Sequence, residues 1–136
     1  MPKLVDIMSR LKNDIKTKED IILLVDRFYS KVALDAQIGH YFKHVDWELH
    51  KPRMHAFWEY ILLDRPATIH SIYDTHHKLQ LAPKDFEVWI EYFTTTIDEL
   101  FEGPKANLAK QRALVIAHTF NSKMNPDVEL NLDFDV

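Results

Sequence analysis

Apolar residues recur along this chain at intervals of three and four, the period of helices laid against a core, and hardly anywhere at intervals of two. The first stripe, Leu4, Ile7, Met8, Leu11 and Ile15, predicts a short leading helix. Thr17, followed three residues later by Asp20, has the form of a capping box. It opens a second helix with Ile21, Leu24, Val25, Phe28 and Val32 on one side. Asp35-Ala36-Gln37-Ile38-Gly39 interrupts the pattern, and a short helical turn through Tyr41 and Phe42 follows. A third helix is predicted from Trp47 or Pro52 to Leu63, with Phe57, Trp58, Ile61 and Leu62 inward. Pro52 removes a backbone donor and bends or delays that helix, which puts His50 at a frayed edge. Asp64-Arg65-Pro66 ends the helix, and residues 67–75 are weakly patterned. Pro83 suits the first turn of a helix carrying Phe86, Trp89, Ile90, Phe93, Ile97, Leu100 and Phe101. Gly103-Pro104 stops it, and a last helix carries Leu108, Ala113, Ile116, Ala117 and Phe120. From Asn125 acidic residues accumulate, and the segment reads as solvated or loosely attached.

The expectation is therefore an all-α chain, with one domain over residues 1–124 and an acidic tail over 125–136. Two glycines leave few sites for hairpin turns, and there is no internal repeat. At 136 residues a single domain buries about 68% of the surface its unfolded chain exposes. The net charge is −4 with Lys and Arg scattered, so nothing resembles a nucleic-acid footprint. Cysteine is absent, which removes disulfides, zinc–thiolate sites, iron–sulfur clusters and a covalent c-type haem link. The stretch from Met1 to Asn13 mixes Lys, Asp and Arg into its apolar positions, unlike a signal peptide or a membrane span. A cytoplasmic protein is the default expectation.

Aromatic and imidazole groups change the picture further. Three Trp, five Tyr and eight Phe are more ring surface than a plain helical bundle of this size requires. Phe57, Phe93, Phe101 and Phe120 taken singly read as core, because aromatic stripes at helical spacing usually are. Tyr29 and Trp89 differ, because each sits on or beside a buried stripe and carries a polar group that needs a partner once buried. That partner is either another core group or a ligand. Of eight histidines, His40, His44, His70 and His118 read as ordinary polar positions. His76 and His77 are adjacent, so at most one faces a given pocket. Leu79 shares a helical face with His76, which favours His76 as the inward ring. An imidazole before an apolar helix, donors on other helices and aromatic walls between them form a set that could grip a flat iron cofactor.

These residues resemble a truncated haemoglobin of the third group. Phe28-Tyr29-Ser30-Lys31-Val32, followed by Asp35, Ile38-Gly39 and Phe42, is similar to that group's second-helix signature with its distal tyrosine. His50-Lys51 followed by Phe57-Trp58 resembles its distal helix. His76 with Leu79, Leu81, Phe86 and Trp89 resembles its proximal segment, and Gln111-Arg112-Ala113 with Ile116-Ala117 resembles its last helix. The likeness spans about residues 18–121, and the scarcity of glycine agrees with it.

The resemblance implies a globin-like, two-over-two helical sandwich, here with an extra N-terminal helix, around a non-covalent haem b. It implies His76 as the iron ligand and Tyr29, His50 and Trp89 on the distal face. Lys51 and Arg53 become candidates for the haem carboxylates, and Phe42, Met54, Phe93 and Ile116 for apolar walls. The implied partner is dioxygen or another diatomic ligand, held by O–H and N–H donors. Nitric oxide dioxygenation or peroxidase-like chemistry would use the same parts, and an enzymatic role would need an electron-donating reductase. Two other readings compete. One is a non-haem di-iron bundle of haemerythrin type, for which His40-x-x-x-His44 and His55-x-x-x-Glu59 offer paired ligands on one helical face. The other is a cofactor-free helical interaction domain whose rings are all core.

Overall fold

The computed structural model describes residues 12–65 and 80–132. They form four helices, α1 (Lys18–Val32), α2 (Trp47–Leu63), α3 (Pro83–Leu100) and α4 (Pro104–Met124), with one 3-10 turn at Gly39–Phe42. No described residue lies in a strand. Helix α1 packs on α2 and α3 on α4, and the two pairs meet where α1 crosses α3 and α2 crosses α4. This is the expected two-over-two sandwich. Among the described residues, no helix is long and apolar enough to cross a membrane. Most of the predicted leading helix lies outside the described residues, as do the 67–75 segment, His70, His76 and His77. Ile15, at the end of that first stripe, is in irregular chain but buried.

The helix ends follow local chemistry. Thr17 Oγ accepts from the Asp20 N–H at 3.2 Å, and the Asp20 carboxylate accepts from the Thr17 N–H at 3.1 Å. The expected capping box is therefore closed in both directions. Asp46 caps α2 by accepting from the Leu49 N–H at 3.3 Å. That cap starts the helix at Trp47, so Pro52 neither delays the start nor frays His50. Pro52 is the sixth residue of α2 and exposed, so the carbonyl that loses its partner can turn to water. Pro83 occupies the first turn of α3, as its fixed φ favours.

Helix α4 begins differently. Gly103 has φ 141°, and a Cβ there would lie 2.6 Å from Asp14 Cγ. The missing side chain lets Asp14 reach the helix start, where it accepts from the N–H groups of Lys105 at 2.9 Å and Ala106 at 2.8 Å. Burial alone would raise the Asp14 carboxyl, but the backbone donors of Lys105, Ala106 and Ile15 hold it below its ordinary value. Asp14→Ala is expected to destabilise the fold by about 1–2 kcal/mol, the worth of a good helix cap, in a urea titration at neutral pH. The sign with pH follows from the depressed folded value. The contribution is complete above the unfolded aspartate pKa and is lost as pH falls through the folded one. The wild-type and variant curves should therefore converge only in acid, below about pH 4.

The core gathers Ile21, Leu24 and Val32 of α1, Leu62 of α2, Ile97 of α3, and Ala106, Ala109, Ala113 and Ala117 of α4. The alanine stripe lets helices approach α4 closely. Thr96 is fully buried but satisfied, donating to the Tyr92 carbonyl at 2.7 Å and accepting from Lys31 Nζ at 3.1 Å. The segment after α4 is not the solvated tail its acidity suggests. Leu130 is buried, Asn121 Nδ2 donates to the Val128 carbonyl at 2.7 Å, and Asn125 Nδ2 donates to the Leu81 carbonyl at 2.9 Å. Side-chain amides bonding to backbone thus dock residues 125–132 beside the entry to α3.

Candidate functional site

Between the two helix pairs lies a cavity of about 80 Å³. Its walls come from α1, the 3-10 turn and all three other helices, and are almost wholly apolar. Tyr29, Phe42, Met54, Trp89, Phe93 and Ile116 all line it.

The position of Tyr29 follows from the register of α1. It stands one residue from Phe28 at the edge of the buried stripe, and both rings are under 9% exposed. Four rings enclose the phenol, with Phe28, Trp47 and His50 centred 5.1–5.2 Å away and Phe42 5.9 Å away. Its hydroxyl is 2.9 Å from His50 Nε2, with donor and acceptor set by the imidazole tautomer. Burial pushes the Tyr29 hydroxyl far above the ordinary tyrosine value, so it stays protonated in any working buffer. His50 itself is half-buried in the first turn of α2 and reaches the site through Tyr29.

Trp89 lines the cavity from α3. Its ring meets Phe28 edge-on at 6.0 Å and Phe93 at 5.9 Å, and Trp58 closes behind Phe93 at 4.9 Å. Among the described residues the Trp89 indole N–H makes no hydrogen bond, although the ring lines the cavity. Lys51 and Arg53 are not among the lining residues. Lys51 Nζ lies over the Trp47 ring, 5.7 Å from its centroid, and Arg53 is exposed. His76 and His77 fall outside the described residues.

One polar lining residue went unremarked in the sequence, and a second, Tyr41, was read only as part of a helical turn. Asp85, on the first turn of α3, is only 7% exposed. Its carboxylate accepts from Tyr41 Oη at 2.8 Å, Gln37 Nε2 at 3.0 Å and the Ala82 N–H at 3.0 Å. Burial would raise the Asp85 carboxyl, but bonds from Gln37, Ala82 and Tyr41, with His40 nearby, bring it below the ordinary value. Burial and the neighbouring carboxylate push the Tyr41 hydroxyl up to about 12. The one available signal was Asp85 three residues after Ala82, a helix-start pattern that says nothing about a cavity. A second carboxylate anchors the loop after α1. Asp35 accepts from Tyr92 Oη at 2.5 Å and from the N–H groups of Gln37 at 2.7 Å and Ile38 at 2.9 Å. That local turn ties the loop to α3 and sets Ile38 and the 3-10 turn against the cavity.

The paired ligands of the di-iron reading are used otherwise. His55 Nε2 meets Asp26 Oδ1 at 2.9 Å, and Glu59 lies 3.9 Å from Arg65. His40 stacks on Tyr41 with centroids 4.1 Å apart, and His44 is exposed. Among the described residues, no three His, Asp or Glu side chains gather into a set able to hold a metal ion.

No protein-family model matches the chain. The group 3 truncated haemoglobin of Campylobacter jejuni is 26% identical over 121 residues, which cover 84% of this chain and 95% of the relative. The crystal structure of the group III truncated haemoglobin from Campylobacter jejuni superposes with a TM-score of 0.75 at 26% identity, again over 84% of this chain and 95% of that one. In sequence and in fold the chain is thus similar to the group III truncated haemoglobins, and its helical sandwich is globin-like.

Proposed function

We propose that this protein binds haem b without a covalent link in the cavity between its helix pairs, and there takes a neutral diatomic ligand, dioxygen foremost. The observation that carries this reading is the cavity wall. It is apolar almost throughout, yet its edge holds a buried, protonated tyrosine hydroxyl bonded to a histidine. The same wall carries the indole of Trp89, whose ring meets Phe28 beside that tyrosine. An apolar wall with one hydrogen-bonded phenol at its edge is the setting that a flat apolar cofactor and a small polar ligand need. The residues present therefore fit a flat apolar macrocycle with a polar ligand at its face.

His76 is the proposed iron ligand. Tyr29, His50 and Trp89 form the distal side, and Phe42, Met54, Phe93 and Ile116 clasp the ring. Lys51 and Arg53 are proposed to meet the haem carboxylates, which would require the Lys51 side chain to leave Trp47. When bound, the haem supplies the reversible binding of a diatomic ligand and, with an external reductase, the electrons of redox chemistry. The chain's own share is to hold that ligand and exclude water. Tyr29 and Trp89 present neutral donors, and Phe28, Phe93 and Trp58 keep the wall dry behind them. Two donors favour tight binding and slow release, which suits nitric oxide or oxygen chemistry and sensing better than bulk transport.

Haemin titrated into the purified protein is expected to give a sharp Soret band saturating at one equivalent, and reduction under carbon monoxide should shift it. A titration with no saturable band overturns the reading and returns the cavity to an interaction domain.

A further inference from the structure

We infer that Asp85 is a specificity-determining residue: it fixes a negative charge in the cavity wall and makes the pocket reject anionic ligands in favour of neutral ones. This rests on the proposed haem site. The lining is otherwise apolar apart from the phenol groups of Tyr29 and Tyr41 and the indole of Trp89, so Asp85 is its one ionised group among the described residues.

A carboxylate taken out of water costs several kcal/mol unless donors compensate it. Here the donors come from three places, the loop after α1 (Gln37), the 3-10 turn (Tyr41) and the backbone before α3 (Ala82). Capping α3 needs only the last of these, as Asp20 does for α1 with backbone alone. Tyr41 and Gln37 are neutral, so they stabilise the charge without cancelling it. The nearest cationic candidate, His40, is exposed and stacks on the far partner, Tyr41. Toward the cavity the charge faces apolar side chains, which screen it less than water does. Unit charges on the order of 10 Å apart, at an effective dielectric of about 20, shift an affinity roughly tenfold.

The test is Asp85→Asn in the haem-loaded ferric protein, reading azide and imidazole affinities from the Soret band at pH 8. The amide should be accommodated. Its oxygen can accept from Tyr41 and Ala82, and its NH₂ can donate to Gln37 once that amide turns over. Azide is expected to bind about tenfold more tightly than in wild type, with imidazole unchanged. Tyr41→Phe, which keeps the charge and removes one donor, should leave the azide-to-imidazole ratio at its wild-type value. Equal changes for both ligands, or the same change in both variants, would mean that Asp85 only braces the 3-10 turn, and would overturn the inference while leaving haem binding intact. Should Asp85→Asn fail to fold, a Tyr41→Phe ratio that moves toward azide decides against the charge. A wild-type protein without a saturable Soret band overturns this inference together with the haem reading.

Discussion

His76→Ala should abolish the Soret band at stoichiometric haemin, whereas His77→Ala should leave it in place. Adjacent residues on a helix point about 100° apart, so one pocket takes one of them. Leu79 and Leu81 follow in the sequence, and Leu81 lines the cavity. On a helical reading of the sequence Leu79, three residues after His76, favours His76, whereas Leu81 stands four after His77, so the two variants are compared directly. Iron needs an unprotonated ring nitrogen, and the second nitrogen then donates to an acceptor that fixes the tautomer. Among the described histidines none lines the cavity. Free imidazole added to His76→Ala should restore the band, because the missing group is the ligand and not the fold. If His77→Ala is the variant that loses colour, the segment is shifted by one residue. If neither does, this segment is not the proximal one.

The helices were legible because each announces itself locally. Thr17 with Asp20, Pro83 and Gly103-Pro104 all mark ends that the structure keeps. The apolar walls were legible for a related reason, since Phe93 and Ile116 lie on stripes that had to be buried against something. What sequence could not disclose were polar partners far apart in the chain. Asp14 caps a helix that begins ninety residues later, and Asp85 collects donors from Gln37 and Tyr41, 48 and 44 residues away. Neither acid differs locally from a solvated one. Asn121 and Asn125 posed the same difficulty, and the acidity of the tail masked its docking through Leu130. At Pro52 two local rules competed, and the Asp46 cap prevailed over the proline because the lost bond lies on an exposed turn. The resemblance to group III truncated haemoglobins supplied the roles, which periodicity alone could not.

Tyr29→Phe should speed dissociation of dioxygen from the reduced, haem-loaded protein by roughly tenfold or more, measured by stopped-flow displacement with carbon monoxide. A hydrogen bond to a charged or strongly polarised partner is worth about 1.5–3 kcal/mol, and phenylalanine preserves the ring packing against Phe28, Phe42 and Trp47. The size of the effect turns on one proton. A phenol has a single O–H to donate, and the Tyr29 oxygen is already 2.9 Å from His50 Nε2. If His50 carries its proton on Nε2, it donates to the tyrosine oxygen, and the tyrosine O–H is left for the ligand. In the other tautomer His50 accepts that proton, and the tyrosine has nothing to give. A double-mutant cycle with His50→Leu separates the two arrangements. In the first, His50→Leu speeds release modestly and adds little once Tyr29 is gone, since the histidine acts through the hydroxyl. In the second, His50→Leu frees the hydroxyl and slows release. Because burial keeps Tyr29 protonated well beyond neutral pH, its own contribution should not vary between about pH 6 and 9. A rate unchanged by Tyr29→Phe in both backgrounds would mean the hydroxyl serves only the α1–α2 contact, and would leave Trp89 as the donor to examine.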